Sequence, residues 1–239
     1  MRSRPQPPCV AGCWPPESSF VPSSDAAATN APRVLPYGDQ AFLVELATSH
    51  DVVMFTDALR DDAPAGVTEL VPAARTVLVR HDLRGTAADA LAGALAAIDF
   101  TSARSVAVDA HSALVTVDVR YDGEDLAVIA RTCAITVDEV IRRHVSPLYR
   151  SAFCGFAPGF AYLTGLDPRL FVPRLDAPRG RVAAGSVAIA SEYTGVYPND
   201  MPGGWRILGH TNVVLWDLAR PQPALLAPGT MVRFRAVDR

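Results

Sequence analysis

The spacing of glycine and proline between Phe153 and Asp217 constrains this chain more than any other feature. Glycine interrupts every apolar run there, at positions 155, 159, 165, 180, 185, 195, 203, 204 and 209. A helix does not tolerate such spacing, because each interior glycine costs roughly 1 kcal/mol relative to alanine. Short strands joined by tight turns do tolerate it, because glycine adopts positive φ and proline presets φ for a turn. The stretch therefore predicts a compact β-barrel whose loops carry the polar groups.

Composition excludes several kinds of chemistry. All 22 basic residues are arginine, so the chain supplies neither the lysine of a Walker-A phosphate loop nor a Schiff-base lysine. With 25 acidic residues, a net charge of −3 and no long basic block, nucleic acid is not an expected partner. No apolar run reaches the ~20 residues of a membrane span, and no secretory segment is recognisable. We therefore expect no membrane contact and a cytoplasmic location.

The cysteines and one histidine are expected to be structural. Cys9, Cys13, Cys133 and Cys154 lack the paired C-x-x-C spacing of zinc sites, so no metal site is predicted. Cys154 adjoins the glycine-rich stretch and has two interpretations, a thiol nucleophile or a buried small apolar side chain, and the second is favoured. His144 ends a predicted helix, where a positive charge suits the helix dipole.

Three regions follow one another along the chain. Residues 1–32 contain seven prolines and no hydrophobic periodicity, and they predict a disordered extension. Residues 33–110 predict a small α+β domain with helices on one side of a sheet. Its predicted elements are a hairpin over 34–46, helices over 49–60 and 89–98, and strands over 67–71, 76–80 and 105–108.

Residues 111–239 predict a mainly-β barrel domain. A strand over 112–120 precedes two helices, one capped by Asp122 and one opening with the capping-box spacing of Thr136 and Glu139. The glycine-rich stretch follows, including apolar runs at 186–190 and 213–216. A closing strand is predicted over 231–234.

The order of several unusual motifs resembles one known protein family. The motifs are YGDQAFLVE at 37–45, VRYDGEDL at 119–126, GFAPGFAYLTGLDPRLFVPR at 155–174, AGSVAIA at 184–190, TGVYP at 194–198, PGGWRILGHT at 202–211 and PGTMVRF at 228–234. Together they resemble the first-subunit family of allophanate hydrolase, which includes the Kip-inhibitor proteins and the B subunit of bacterial ATP-dependent 5-oxoprolinase. The chain departs from the family pattern at Tyr193, where glutamine is usual, and at His210, where arginine is usual.

The resemblance implies a fold and a set of functions. It implies an α/β N-terminal domain, a cyclophilin-like barrel, and a partner of the type of allophanate hydrolase subunit 2 or the 5-oxoprolinase C subunit, with a third subunit in the oxoprolinase case. The first function it implies is a subunit of 5-oxoprolinase, which opens 5-oxo-L-proline to L-glutamate with ATP hydrolysis. The alternatives are a Kip-type inhibitor of a histidine kinase and a subunit of an allophanate- or urea-degrading hydrolase. We expect the chain to be inactive alone and ATP to be used in the complex, though not necessarily bound here.

The residues of the glycine-rich stretch suggest a binding site for a small amide or carboxylate. Gly203 and Gly204 let backbone N–H groups approach a ligand oxygen, and Trp205 offers a flat apolar wall. The alternative is a tight turn with Trp205 filling the end of the barrel. Arg179 and Arg206 are the predicted carboxylate ligands. The remaining arginines of the stretch, Arg169 and Arg174 among them, are attributed to internal ion pairs.

The predicted catalytic residues are His210, Tyr197 and Glu192. His210 is expected to act as an acid or base, or to stabilise charge on a carbonyl that ATP has activated, together with backbone donors at Gly203 and Gly204. Its alternative is an exposed turn histidine. Tyr197 and Glu192 would complete a polar patch, or else are solvated loop residues.

Overall fold

The first sheet of the protein has four antiparallel strands. A computed structural model describes residues 31–82, 88–100 and 114–238. The strands are β1 (Arg33–Pro36), β2 (Ala41–Glu45), β3 (Val67–Pro72) and β4 (Thr76–His81), in the spatial order β1-β2-β4-β3. Helices α1 (Ser49–Asp61) and α2 (Ala88–Ala96) contact this sheet. All of the elements that are predicted within its described residues are observed.

Helix α1 begins where the sequence predicts and has a complete N-terminal cap. The Thr48 hydroxyl accepts from the Asp51 N–H, and the Asp51 carboxylate accepts from the Thr48 N–H, which satisfies two of the free donors of the first turn. Val52, Phe55 and Leu59 recur on one face of the helix and are buried against the sheet.

The second sheet is a nearly closed mixed β-barrel of seven strands. Their bounds are β5 (Leu114–Val119), β6 (Tyr149–Cys154), β7 (Ala161–Thr164), β9 (Ser186–Ala190), β10 (Tyr193–Val196), β12 (Arg206–His210) and β13 (Met231–Ala236). They have the spatial order β12-β9-β10-β7-β6-β13-β5, and the parallel pair β13 and β5 makes the sheet mixed. Two short strands, β8 (Arg179–Val182) and β11 (Met201–Gly203), pair separately.

The two edges of the barrel sheet meet at Arg120 and His210. Each backbone N–H donates to the carbonyl of the other residue at 2.9 Å, which joins the end of β5 to the end of β12. The approach is close, because a Cβ on Gly209 would lie 2.2 Å from the Arg120 carbonyl oxygen. Only glycine fits at that position.

Two helices contribute to the barrel core. They are α3 (Leu126–Thr132) and α4 (Val137–Val145), and the buried residues Ile129 and Val140 join the same core as the strands. The Thr136 hydroxyl caps α4 by accepting from the Glu139 N–H, as predicted. The predicted cap of α3 is wrong: the N-cap is Asp125, not Asp122, and its side chain does not cap the helix but binds other groups.

The two sheets are joined by partly buried polar contacts. Arg150 of β6 donates to both carboxylate oxygens of Asp57 in α1, each at 2.6 Å. The Ser49 hydroxyl, at the start of α1, donates to the Glu192 carboxylate at 2.7 Å. These contacts fix the first helix against the barrel.

Some sequence predictions differ from the structure or lie outside its described residues. The apolar run at 213–216 is not a strand, and only Trp216 forms an isolated bridge, with Ala224. The extension at 1–30 and the strand at 105–108 lie outside the described residues. The division at 110 and 111 falls within 101–113, which is also outside them, so the predicted domain boundary stays a prediction.

Candidate functional site

An aromatic pocket of about 300 Å³ lies on the outer face of the barrel. Side chains of β9 alternate between two clusters: Val187 and Ile189 belong to the barrel interior, whereas Ala188 and Ala190 belong to a second cluster on the opposite face. That second cluster forms the base of the pocket. Its lining residues are Phe156, Phe160, Tyr162, Arg174, Pro178, Tyr197, Pro202, Gly203, Gly204 and Trp205.

The rings of the pocket pack edge to face. The ring centroid of Trp205 lies 5.4 Å from that of Phe160 and 5.5 Å from that of Tyr162, at steep interplanar angles. Gly195 makes this possible, because a Cβ there would lie 3.2 Å from Trp205 and 3.3 Å from Phe160. Trp205 is 4% exposed, so it both fills the outer cluster and supplies a pocket wall.

Gly203 and Gly204 shape the pocket beside Tyr197. A Cβ on Gly203 would lie 2.3 Å from the Tyr197 hydroxyl, so the absence of a side chain there makes room for the phenol. The Gly204 carbonyl accepts from the Leu175 N–H at 2.7 Å, which ties the loop that contains Arg174 to the pocket. Four of the predicted site residues, Tyr197, Gly203, Gly204 and Trp205, are thus brought together.

The Tyr197 hydroxyl stays protonated at neutral pH. Burial raises the pKa of Tyr197, while a hydrogen bond from the Trp205 backbone and the nearby Arg174 and Arg179 oppose the increase. The phenol is therefore a neutral hydrogen-bonding group rather than a base.

Arg174, which was predicted to form an internal ion pair, lines the pocket. Among the described residues it forms no ion pair or hydrogen bond, and it is the one cation among the lining residues. Asp176, the carboxylate closest to it in sequence, is exposed and forms no ion pair within that part of the chain either. An internal pair therefore does not account for Arg174. No sequence signal separates it from its paired neighbours.

Arg179, by contrast, is part of the frame behind the pocket. It donates to both oxygens of Asp125 at 2.8 Å and pairs with Glu124 at 2.7 Å. A further N–H donates to the Trp205 carbonyl at 3.2 Å. Asp125 also accepts from the Ile207 N–H at 2.7 Å, which explains why this carboxylate does not cap α3. The predicted role of Arg179 as a carboxylate ligand does not agree with these internal bonds.

The remaining predicted residues lie elsewhere. His210 lines a separate, polar groove of about 480 Å³ at the closure of the barrel, and its Nδ1 lies 2.8 Å from the Asp122 carboxylate. Burial of Asp122 favours a higher pKa, but hydrogen bonds from His210 and Arg120 lower the pKa of Asp122 overall. Glu192 binds Ser49 at the contact between the sheets. Arg206 does not line either described cavity.

Tyr193, one of the two positions named above as departures from the family pattern, lies between helix α1 and the pocket. Its ring centroid lies 5.6 Å from that of Tyr162, a pocket residue. Burial raises the pKa of Tyr193 to about 12. The hydrogen bond with Ser49 opposes this increase, and the negative charge of Glu192 adds to it. The phenol is a neutral spacer between helix α1 and the aromatic cluster.

His144 is not the charged helix end that the sequence suggested. It is fully buried, and burial lowers the pKa of His144 to about 3, so its ring is neutral at physiological pH. Its Nδ1 lies 2.6 Å from the Tyr121 hydroxyl and its Nε2 lies 2.9 Å from the Thr194 hydroxyl. Because Thr194 donates to the Ala188 carbonyl, Nε2 carries the proton and Nδ1 accepts from Tyr121.

The pocket can bind and orient a ligand, but its lining holds no catalytic base. None of its lining residues is an Asp, Glu, His, Cys or Ser. Cys154 lies outside the pocket, where burial raises the pKa of its thiol and the S–H donates to the Leu226 carbonyl at 3.4 Å. Over residues 31–82, 88–100 and 114–238 no group of three potential ligands could hold a metal ion. In the same residues no helix is long and apolar enough to cross a membrane.

Comparison with known proteins identifies relatives of the chain. The family described as carboxyltransferase domain, subdomain C and D, matches residues 32–226. The 5-oxoprolinase B subunit of Escherichia coli O157:H7 is 45% identical over 133 residues, which cover 54% of this chain and 61% of that protein. The protein of the same name from Bacillus subtilis strain 168 is 40% identical over 124 residues, covering 51% and 52%. The chain thus spans about half to three fifths of these curated relatives.

Solved structures share the fold. The crystal structure of TTHA0988 matches with a TM-score of 0.66 and 32% identity over 84% of this chain and 40% of that one. A conserved uncharacterized protein, PH0987 from Pyrococcus horikoshii, matches with a TM-score of 0.52 and 33% identity over 87% of this chain and 98% of that one. The K. lactis urea amidolyase matches with a TM-score of 0.61 over 87% of this chain and 15% of that one. Because the two are only 19% identical, this match shows likeness of fold alone.

Proposed function

We propose, from the premise that this chain belongs to the carboxyltransferase-domain family of subdomains C and D, that it is one subunit of an ATP-dependent 5-oxoprolinase. The observation that carries the proposal is the 45% identity over 133 residues to a protein named as the B subunit of 5-oxoprolinase. The reaction would open the ring amide of 5-oxo-L-proline to give L-glutamate, with hydrolysis of ATP. The chain would act in the cytoplasm, as an α+β domain over 33–110 followed by a cyclophilin-like barrel over 111–239.

The content of the aromatic pocket supports a role in binding rather than in the complete reaction. Ring opening of an amide needs an activated water and a group that receives or delivers protons. The lining residues supply rings, a neutral phenol, backbone groups and one arginine, none of which is a base at neutral pH. We therefore assign the catalytic groups to a second protein of the 5-oxoprolinase C-subunit type, and expect this chain to be inactive alone.

Exposed apolar side chains beside the pocket support a contact with that second protein. Phe156, which lines the pocket, is 62% exposed, and Trp216 is 38% exposed. Trp216 lies against Gly159, in the same loop as Phe156, because a Cβ on Gly159 would lie 2.9 Å from the Trp216 Cβ. Phe156 also has φ of 71°, a left-handed conformation that is unfavourable for an aromatic residue. A partner that covers this loop would enclose the pocket.

The pocket does not fit ATP. A triphosphate needs several cations or a loop of backbone N–H donors, whereas this lining offers one arginine and one pair of glycines in a largely apolar cavity of about 300 Å³. We assign the nucleotide to another part of the complex. This chain's own contribution is to bind the amide substrate and exclude water from one side of it.

Co-expression with the neighbouring subunits tests the proposal. We expect glutamate to form from 5-oxoproline only when ATP and the second subunit are both present. Two controls are needed: the same complex without ATP, and this chain alone with ATP. Turnover of allophanate or urea, or stable binding to a histidine-kinase dimerisation helix, without any glutamate from 5-oxoproline would replace this function with one of the two alternatives.

A further inference from the structure

The one unpaired cation of the aromatic pocket indicates what kind of ligand fits there. Most arginines of the described chain are bonded to carboxylates, and Arg143, Arg150 and Arg179 are bonded at partly buried sites. Arg174 stands apart from them, because it lines a cavity and no described residue neutralises it. A guanidinium beside an apolar wall attracts a planar anion, and a carboxylate matches its paired N–H donors.

The backbone next to Arg174 is tied to the wall of the pocket. The next residue, Leu175, donates its N–H to the Gly204 carbonyl at 2.7 Å, and a Cβ on Gly204 would lie 3.7 Å from the Pro178 Cα. The loop is thus held against the wall formed by Trp205. Arg174 is also close enough to the Tyr197 hydroxyl to affect its electrostatics. Two polar groups, a guanidinium and a neutral phenol, therefore face the same small cavity.

We propose that this pocket binds a small ring-shaped carboxylate, with Arg174 pairing with the carboxylate and the aromatic wall of Trp205, Phe160 and Tyr162 holding the apolar face of the ring. The identity of the natural ligand, a cyclic amide that bears a carboxylate, rests on the proposed function. The cavity, at about 300 Å³, is at the small end of ligand sites. Arg174, rather than Arg179 or Arg206, determines specificity for the acid.

A matched pair of ligands tests the assignment without requiring turnover. Cyclopentanecarboxylate and cyclopentanecarboxamide share a ring and differ in charge, and ligand-observed NMR measures the binding of each to the full chain. We expect the wild type to bind the acid at least tenfold more tightly than the amide, as a charge-assisted hydrogen-bonded pair predicts. The Arg174→Gln variant should lose this preference, and Arg174→Lys should retain part of it.

Arg233→Gln is the matched control. Arg233 is an exposed arginine that also has no ion pair among the described residues, and it lies on β13 away from the pocket lining. The control removes the same charge, so a general electrostatic effect would appear equally in both variants. Thermal unfolding of each variant confirms that it is folded, which is expected because both side chains are exposed.

Turnover by the complete complex provides a second measurement. With 5-oxoproline as substrate, Arg174→Gln should raise KM by about 10- to 100-fold and change kcat by less than about threefold, because the carboxylate does not react. An unchanged acid preference in the Arg174→Gln chain would overturn the assignment even if the complex makes glutamate. A complex that makes no glutamate would overturn the proposed function, while the binding preference would still decide the role of Arg174.

Discussion

The interior of the barrel and the pocket on its outer face are both rich in aromatic residues, yet their polar groups differ. Inside, the ring of His144 is packed against Tyr149 and Phe234, and both of its nitrogens are hydrogen-bonded. Outside, Trp205 and its neighbours surround a cavity in which Arg174 has no partner among the described residues. Aromatic rings are therefore common to both regions. The outer region differs in having a cavity whose one cation has no partner among the described residues.

The largest expected effect concerns Asp125, which binds Arg179 and the Ile207 N–H behind the pocket. Asp125→Ala removes the partner of Arg179 and leaves the buried Ile207 N–H without an acceptor. We expect a loss of about 3 kcal/mol in the free energy of unfolding, in the lower part of the range for broken buried pairs, since Glu124 remains beside Arg179. Urea unfolding measures this loss.

The control for that variant is Asp118→Asn. It breaks an equally well-formed bidentate pair, with Arg235, that is exposed on the barrel surface. Exposed pairs contribute little to stability, so this variant should unfold close to the wild type. If Asp125→Ala also unfolds near the wild type and instead weakens binding of carboxylates, Arg179 is a ligand residue and the distinction from Arg174 fails.

The pH dependence of stability tests whether His144 is buried and neutral. Its pKa is about 3 in the folded protein against an ordinary value of 6.5, so only the unfolded chain binds a proton between these pH values. Stability from this residue is therefore complete above pH 6.5 and is lost as the pH falls, by up to about 1.4 kcal/mol per pH unit. Urea unfolding between pH 7.5 and 5 avoids the range in which carboxylates titrate.

His144→Gln isolates that contribution. Glutamine can accept from Tyr121 and donate to Thr194 but does not titrate, so the slope below pH 6.5 should become shallower. His210→Asn, which removes a partly exposed histidine from the polar groove, is the control for the loss of a histidine. A slope that His144→Gln does not change would mean that His144 binds its proton equally well in the folded and unfolded states, which contradicts its burial as a neutral ring.

Local patterns predict much of the fold because they depend on neighbours in sequence. The cap at Thr136, the face of α1 and the strand over 186–190 all follow from spacing within one turn or one strand. The cap of α3 is different, because Asp125 binds Arg179 and Ile207, which lie 54 and 82 residues away. No local rule includes such partners.

In the candidate site, too, features set by sequence neighbours can be predicted, whereas those set by distant residues cannot. Turn chemistry singles out Gly203, Gly204 and Trp205, which are consecutive in sequence, and all three line one cavity. Sequence alone does not distinguish Arg174 from Arg179, because the difference is whether a carboxylate reaches each one in three dimensions. The same is true of His210, which backbone pairing with Arg120 carries to the closure of the barrel.

A smaller effect on stability is expected from Gly203→Ala, which fills the outer pocket and leaves the interior unchanged. The added Cβ would lie 2.3 Å from the Tyr197 hydroxyl, so the phenol must shift from its place in the pocket lining. We expect about 1–2 kcal/mol of destabilisation and a loss of carboxylate binding of at least tenfold. Gly180→Ala is the matched control, because a Cβ there meets nothing within 4 Å. Equal ligand binding by both variants would contradict the placement of the site.

The smallest effect on stability, and the one that separates folding from assembly, is expected for Phe156→Asn. Asparagine tolerates the left-handed φ of 71° better than phenylalanine, which offsets the lost edge-to-face contact with Phe160. The unfolding free energy should therefore change by less than about 0.5 kcal/mol. Affinity for the second subunit should fall, because the exposed ring is removed from the proposed contact, and sedimentation velocity of mixtures measures this affinity.

Tyr37→Asn is the control, since Tyr37 is 60% exposed and lies on the first sheet's hairpin, away from the pocket lining. An affinity for the second subunit equal to that of the wild type would contradict the proposed contact at Phe156. The partner would then have to bind another face of the protein.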